Sequence, residues 1–236
     1  MVIEDLAFPA LLPTRRRVAD ALVATSTDLD AFERLRVGPS LAREVVRNAD
    51  LFELPAIPVL DLYTGPVHDG LDASRLSAAA TERAGECLVV VSALWGALRP
   101  ADRIPPYRLN LHALLIGIDR LVGTWRAVLP DVLAEAAGDA GVVLDIRSPG
   151  YQATGLPAGL GDRTVTLRVE QGPRGHRIGE VITKRMRGAA ARHLLESGAD
   201  PADPDALADI LAARWPVRLS PPERPGKPWT VSLSLD

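Results

Sequence analysis

The chain has 236 residues, 47% of them hydrophobic and 24% charged, with a formal net charge of −3. So much apolar content at so little net charge excludes a disordered coil, and the length is enough to bury a sizeable core. No run approaches the ~18 consecutive apolar residues of a spanning helix, which excludes a membrane protein.

The first third reads as helical. Thr14 is placed to cap a helix over residues 15–25, with Val18, Ala21 and Leu22 at helical spacing. A short helix is expected over 28–36. Gly38 breaks the pattern, and Pro39 or Ser40 starts a third helix through Asn48, with Leu41, Val45 and Val46 on one side. Residues 57–63 read as a strand, near an edge or a strand start because of Pro58. The β-branched run 87–92 is expected as a strand buried on both faces, and 142–146 as a second of the same kind. Between them 114–137 has helical periodicity, broken near Gly117 and Pro130, so that strand, helix and strand imply a parallel crossover. Segments 164–169 and 230–235 alternate as half-buried strands do. The Pro-rich stretch 216–228 reads as an ordered connection into the last strand. The expected class is α/β, a single domain over 1–236 with a central mixed sheet flanked by helices.

The chain opens Met1-Val2-Ile3-Glu4-Asp5, which is not a secretory signal, and Cys87 is the only cysteine. Both suit a reducing cytoplasm. Of 27 cations only Lys184 and Lys227 are lysines, a bias of high-GC genomes rather than of function. No Walker loop, dinucleotide glycine pattern or Gly-x-Ser-x-Gly elbow is present. His68, His112, His176 and His193 lack metal-ligand spacing, so no metal and no cofactor is expected. Cys87, at the mouth of an expected buried strand, reads as a small core residue.

Three strand ends offer polar groups where open α/β sheets bind ligands. The first carries Tyr63 and Thr64 before Gly65. The second is the block Ser92-Ala93-Leu94-Trp95-Gly96-Ala97-Leu98-Arg99-Pro100 with Pro106-Tyr107-Arg108-Leu109, where Arg99 and Arg108 bring guanidinium forks suited to phosphate or carboxylate. Pairing of both arginines with acids such as Asp102 is the competing reading. The third end carries Asp145, Arg147, Ser148 and Tyr151. Tyr63, Arg99, Tyr107, Arg108, Ser148 and Lys184 are expected to converge on one cleft. Lys184, Arg185, Arg187 and Arg192 fall within about 160° of one helix face, with no acid between Val181 and Leu195. Met186, Ala190 and Leu194 lie opposite. Such a face suits phosphates, and equally a solvated surface.

Together these blocks resemble the YaaA family of bacterial peroxide-stress-response proteins. The likeness rests on Leu62-Tyr63-Thr64-Gly65, on Ser92 through Pro100, on Pro106 through Leu109, on Asp145 through Tyr151, and on Lys184-Arg185-Met186-Arg187-Gly188 with Arg192-His193-Leu194-Leu195. It implies a single α/β domain with a helix–hairpin–helix-like element and a positively charged cleft. It also implies DNA binding and a role in limiting iron-dependent oxidative damage. No reaction is firmly attached to the family. The chain departs from the pattern at its start, where a lysine-bearing turn is missing, at Asn110 through Leu115, and at Ile182 and Thr183.

Two functions are therefore expected. One is a peroxide-stress protein that binds double-stranded DNA through Lys184, Arg185, Arg187 and Arg192. The alternative is a small-molecule enzyme recruited to a biosynthetic pathway. It would hold a nucleotide-like or carboxylated ligand with Tyr63, Thr64, Arg99, Tyr107, Arg108, Ser148, Tyr151 and Lys184. Tyr63, Arg99, Tyr107, Arg108 and Lys184 are then the catalytic candidates, and the oligomeric state stays open.

Overall fold

The computed structural model describes residues 1–170 and 179–235. In chain order the elements are α1 (Leu12–Ser26), α2 (Ala31–Leu35), α3 (Ala42–Ala49), β1 (Ile57–Pro58), α4 (Val59–Leu62), α5 (Pro66–Leu71) and α6 (Ala78–Cys87). They continue with β2 (Val90–Ser92), β3 (Gly96–Leu98), β4 (Arg103–Ile104), α7 (Leu121–Arg126), α8 (Leu129–Ala137), β5 (Val143–Asp145) and α9 (Pro149–Gln152). The last are β6 (Thr164–Glu170), α10 (Glu180–Ser197), α11 (Pro204–Ala212), β7 (Val217–Ser220) and β8 (Trp229–Ser234). The class is mixed α/β, as the sequence predicts. The chain forms two compact units: Met1–Leu62 with Val89–Leu133 and Arg147–Leu156, and Tyr63–Leu88 with Ala134–Ile146 and Pro157–Asp236.

In the first unit, α1 buries Val18, Ala19, Ala21, Leu22 and Thr25, one stripe at helical spacing. The helix begins earlier than expected. Pro13 opens it, because a missing N–H costs nothing in a first turn, and Thr14 is buried within the helix instead of capping it. On the same stripe Arg15 is fully buried. Its Nε donates to the Trp95 carbonyl at 2.8 Å, Nη2 to the Ala97 carbonyl at 2.6 Å and Nη1 to the Leu6 carbonyl at 3.5 Å. Burial pulls its pKa down to about 10, opposed by the Asp102 carboxylate, so the group is charged at neutral pH.

The carbonyls held by Arg15 belong to a hairpin, and here the structure corrects the sequence reading. β2 pairs antiparallel with β3, Val90 opposite Leu98 and Ser92 opposite Gly96, so it is not the first strand of a parallel crossover. Ser92 Oγ accepts from the N–H groups of Leu94 (3.1 Å) and Trp95 (3.0 Å), which closes the turn. Gly96 has φ of 71°, and the Trp125 ring packs where a Cβ would stand. Upstream, α6 runs through Cys87, which is an exposed helix end and not a core residue at a strand mouth. Of 57–63 only Ile57–Pro58 is strand, paired antiparallel with β4. Pro58 has no N–H to extend the ladder, and the chain turns at once into α4.

The second unit is built on the mixed sheet β5-β6-β8-β7, parallel except for the β8–β7 pair. The parallel connections lead from β5 to β6 and from β6 to β8. β7 lies inside the Pro-rich stretch that reads as a plain connection. Val165, Leu167, Val231 and Leu233 of the sheet pack with Met186 and Ala190 of α10 and Leu207 and Leu211 of α11. Where the resemblance implies a helix–hairpin–helix-like element, α10 and α11 follow one another, joined through left-handed Gly198 and capped by Asp203 Oδ1 on Ala206 N–H (2.8 Å). The tightest contact is α5 against α10. A Cβ on Gly188 would run into Val67 O and Leu71 N, and one on Gly70 into the Arg185 carbonyl.

Two measurements check these points. R15M should lose about 3–5 kcal/mol in urea unfolding, because three carbonyls lose their donor and Asp102 its cation; R15K should lose less. G188A should lose stability at or above the ~1–3 kcal/mol typical of overpacking, read as a lower thermal midpoint. G85A is the control. Gly85 lies within α6 with nothing near its Cβ position, so its replacement should be neutral or stabilise by about 0.4–1 kcal/mol.

Candidate functional site

The two units divide the residues singled out from sequence. Arg99, Tyr107, Arg108, Ser148 and Tyr151 belong to the first; Tyr63, Thr64, Lys184, Arg185, Arg187 and Arg192 belong to the second.

In the first unit Tyr107 and Arg108 follow β4 on a segment that is neither helix nor strand. The Tyr107 hydroxyl lies 2.7 Å from Ser92 Oγ. Both lone pairs of that oxygen already accept backbone N–H groups, so the Ser92 proton is the one donated, to Tyr107. The buried Trp95 indole meets the Tyr107 ring edge-on, with centroids 6.4 Å apart. Arg108 is exposed and forms no ion pair among the described residues. Its guanidinium acts on Tyr151: burial pushes the Tyr151 phenol up from its ordinary value, and the Arg108 charge pulls it partly back. Tyr151 is therefore a neutral donor at neutral pH. It stands on α9, whose end is held by Arg147, with Nη2 donating to the Gly155 carbonyl at 2.9 Å.

Ser148 occupies the N-cap position of α9 without a capping bond from its side chain. Arg99 turns elsewhere. Its N–H donates to Asp102 Oδ2 at 2.8 Å, and its guanidinium lies over the Phe8 ring at 5.2 Å.

In the second unit Tyr63 and Thr64 leave a helix, α4, instead of a strand, and the Tyr63 ring faces His68 at 5.6 Å. Burial lowers the His68 pKa, opposed by the neighbouring Asp69. The cations of α10 meet acids that lie outside the acid-free stretch from Val181 to Leu195. Lys184 pairs with Glu180 at 2.6 Å and Arg185 with Asp69 at 3.3 Å. Arg192 pairs with Asp72 at 3.0 Å and also donates to the carbonyls of Leu71, Asp72 and Arg75. It serves as a C-terminal clip for α5 and the turn after it. Arg187 is half-buried; burial lowers its pKa and the buried Asp145 carboxylate opposes the shift. Among the described residues no cluster of His, Cys, Asp and Glu is arranged to hold a metal ion, and no helix is long and apolar enough to cross a membrane.

Sequence reasoning missed Asn48. Its side chain is fully buried, and Oδ1 accepts from Arg108 N–H at 2.8 Å while Nδ2 donates to the Arg108 carbonyl at 2.9 Å. A signal was available. Asn48 lies three residues after Val45, on the buried face of α3, whereas Val46, expected on that face, is exposed.

Comparison with known proteins decides the family. The family model described as Peroxide stress protein YaaA matches residues 4–218. The chain belongs to the YaaA family. It is 38% identical to a UPF0246 protein of Streptomyces coelicolor, over 97% of this chain and 89% of that one. It is 33% identical to a UPF0246 protein of Corynebacterium efficiens (87% and 82% covered) and 33% identical to one of Cereibacter sphaeroides (93% and 91%). In this YaaA chain the Ser92-to-Pro100 block is first of all a tight hairpin, and only through Ser92 does it reach the site. What Arg108 and Tyr151 offer chemically is a guanidinium fork whose charge reaches a neutral phenol, equipment suited to an oxyanion, with Tyr107 next to Arg108 in the chain and turned to Ser92 and Trp95.

The Arg108–Tyr151 coupling is open to titration. With three tyrosines in the chain, absorbance near 295 nm resolves the phenols. Tyr151 should ionise above the ordinary tyrosine range, and R108A should move it higher still, because the cation that favours the phenolate is gone. Y151F should remove that step.

Proposed function

We propose that this chain serves the peroxide-stress role for which its family is named, limiting oxidative damage, by binding an anionic nucleotide-like or carboxylated ligand at Tyr107, Arg108 and Tyr151. One observation carries the reading: Arg108 is an exposed guanidinium with no carboxylate partner among the described residues, set beside a partly buried neutral phenol. A planar fork so placed gains two charge-assisted hydrogen bonds from a phosphate or carboxylate. The test is calorimetric titration with AMP and with malonate. R108A should weaken binding by about tenfold or more, and R108K should recover only part, because an ammonium cannot form the fork. Unchanged affinity in R108A would sink the reading. In cells lacking the gene, R108A should also fail to restore survival of peroxide.

The α10 cations favour a second reading, contact with the backbone of double-stranded DNA. Arg185 and Lys184 have side chains 60% and 36% exposed on the same helix. Their acidic partners Asp69 and Glu180 would compete with phosphate, so affinity should be weak and easily screened. The K184A/R185A double variant should reduce duplex binding at low salt and flatten its salt dependence, read by fluorescence anisotropy at two salt concentrations. Arg192 is left in place, since its loss would unclip α5. No duplex binding by the unaltered protein at low salt would discard this second reading.

A further inference from the structure

We infer that Asn48 is the positioning residue of the Tyr107–Arg108–Tyr151 site, its buried carboxamide clamping the backbone of Arg108. The inference rests on the anionic-ligand reading above. A planar carboxamide presents one acceptor and two donors, and Asn48 uses them all. Oδ1 takes Arg108 N–H, one Nδ2 hydrogen goes to the Arg108 carbonyl, and the other goes to Ser26 Oγ at 3.2 Å on α1. Arg108 thus meets a side chain as it would meet a neighbouring strand, although no strand lies there. Both polar groups of one residue are held, which fixes the path of the chain on either side of it. Tyr107, one residue earlier, is fixed a second time by Ser92 Oγ at 2.7 Å. The exposed Arg108 side chain has no ion pair among the described residues to hold it. The place from which the side chain reaches out is therefore set by its backbone, and the backbone is held by Asn48. A ligand that takes the fork then has only the side-chain torsions left to order, and not the chain that bears them, which leaves more of the binding energy as affinity.

The clamp can be read without any ligand. In the unaltered protein the Arg108 amide should exchange slowly with solvent, since it donates to a buried acceptor. N48A should abolish that protection. N48D keeps the acceptor and loses both donors, so it should retain protection and lose part of the function. It also carries the test if N48A fails to fold. AMP affinity should fall about tenfold in N48A and by less in N48D. V45A removes packing from the same helix one turn earlier without touching Arg108. At a comparable loss of thermal midpoint it should keep AMP affinity within about twofold. The N48A/R108A double variant should bind no more weakly than R108A alone, because Asn48 acts only through Arg108. Loss of Arg108 protection with unchanged AMP affinity would overturn the inference while leaving the ligand reading intact. Equal loss of affinity in V45A and N48A would reduce Asn48 to a structural residue and also overturn it. Failure of the unaltered protein to bind AMP or malonate would overturn the ligand reading, and the inference with it.

Discussion

Arg15 holds its guanidinium out of water, and backbone carbonyls from two distant segments, around Leu6 and in the β2–β3 hairpin, converge on it. A buried cation is stable only when its donors are satisfied and a countercharge is near, and Asp102 is that countercharge. Asp102 is itself tied down, accepting from Ala7 N–H at 2.9 Å and Arg99 N–H at 2.8 Å. The hairpin that Arg15 fixes carries Ser92, and Ser92 carries the Tyr107 hydroxyl. A helix near the amino terminus thus helps to determine where a phenol some ninety residues later stands, through a chain of hydrogen bonds.

The legible parts of the fold were those whose pattern is local. β6 and β8 alternate with period two and appear nearly where expected. β5 is a strand as its β-branched run predicts, but it lies at the sheet's edge with Val143 and Leu144 half-buried, and is not buried on both faces. The run containing β2 looks the same in sequence but pairs with its own hairpin partner, and partner choice is a tertiary matter. β7 was hidden by flanking prolines. α5 was hidden by a proline and a glycine, residues that usually mark a turn. At the site, Tyr107 and Arg108 stood out because a phenol beside a guanidinium is conspicuous chemistry. Asn48 did not, because a lone amide in a short helix reads as surface until its burial is known.

The cations of α10 show how sequence distance misleads about charge. Between Val181 and Leu195 there is no acid, and the helix looks like an uncompensated basic face. In space, Glu180 closes on Lys184 one turn away, and α5 brings Asp69 and Asp72 to Arg185 and Arg192. Exposed pairs of this kind contribute little to stability, but each carboxylate cancels the net charge of its cation and so weakens the field that a distant anion would feel as a guide. Arg192 goes further: three carbonyls and the carboxylates of Asp72 and Glu196 make it part of the frame.

The crossing of α5 on α10 has a mechanical meaning. Where Gly70 and Gly188 meet the opposing helix, backbone touches backbone, and no layer of side chains lies between to absorb a slide or a roll. Side-chain layers are what let packed helices shear past one another by small rotamer adjustments. Here that lubricant is missing, so the two helices behave as a welded joint. A push on Lys184 or Arg185 is therefore passed to α5, which bears Asp69 and ends at Asp72. Displacement of one helix is displacement of both.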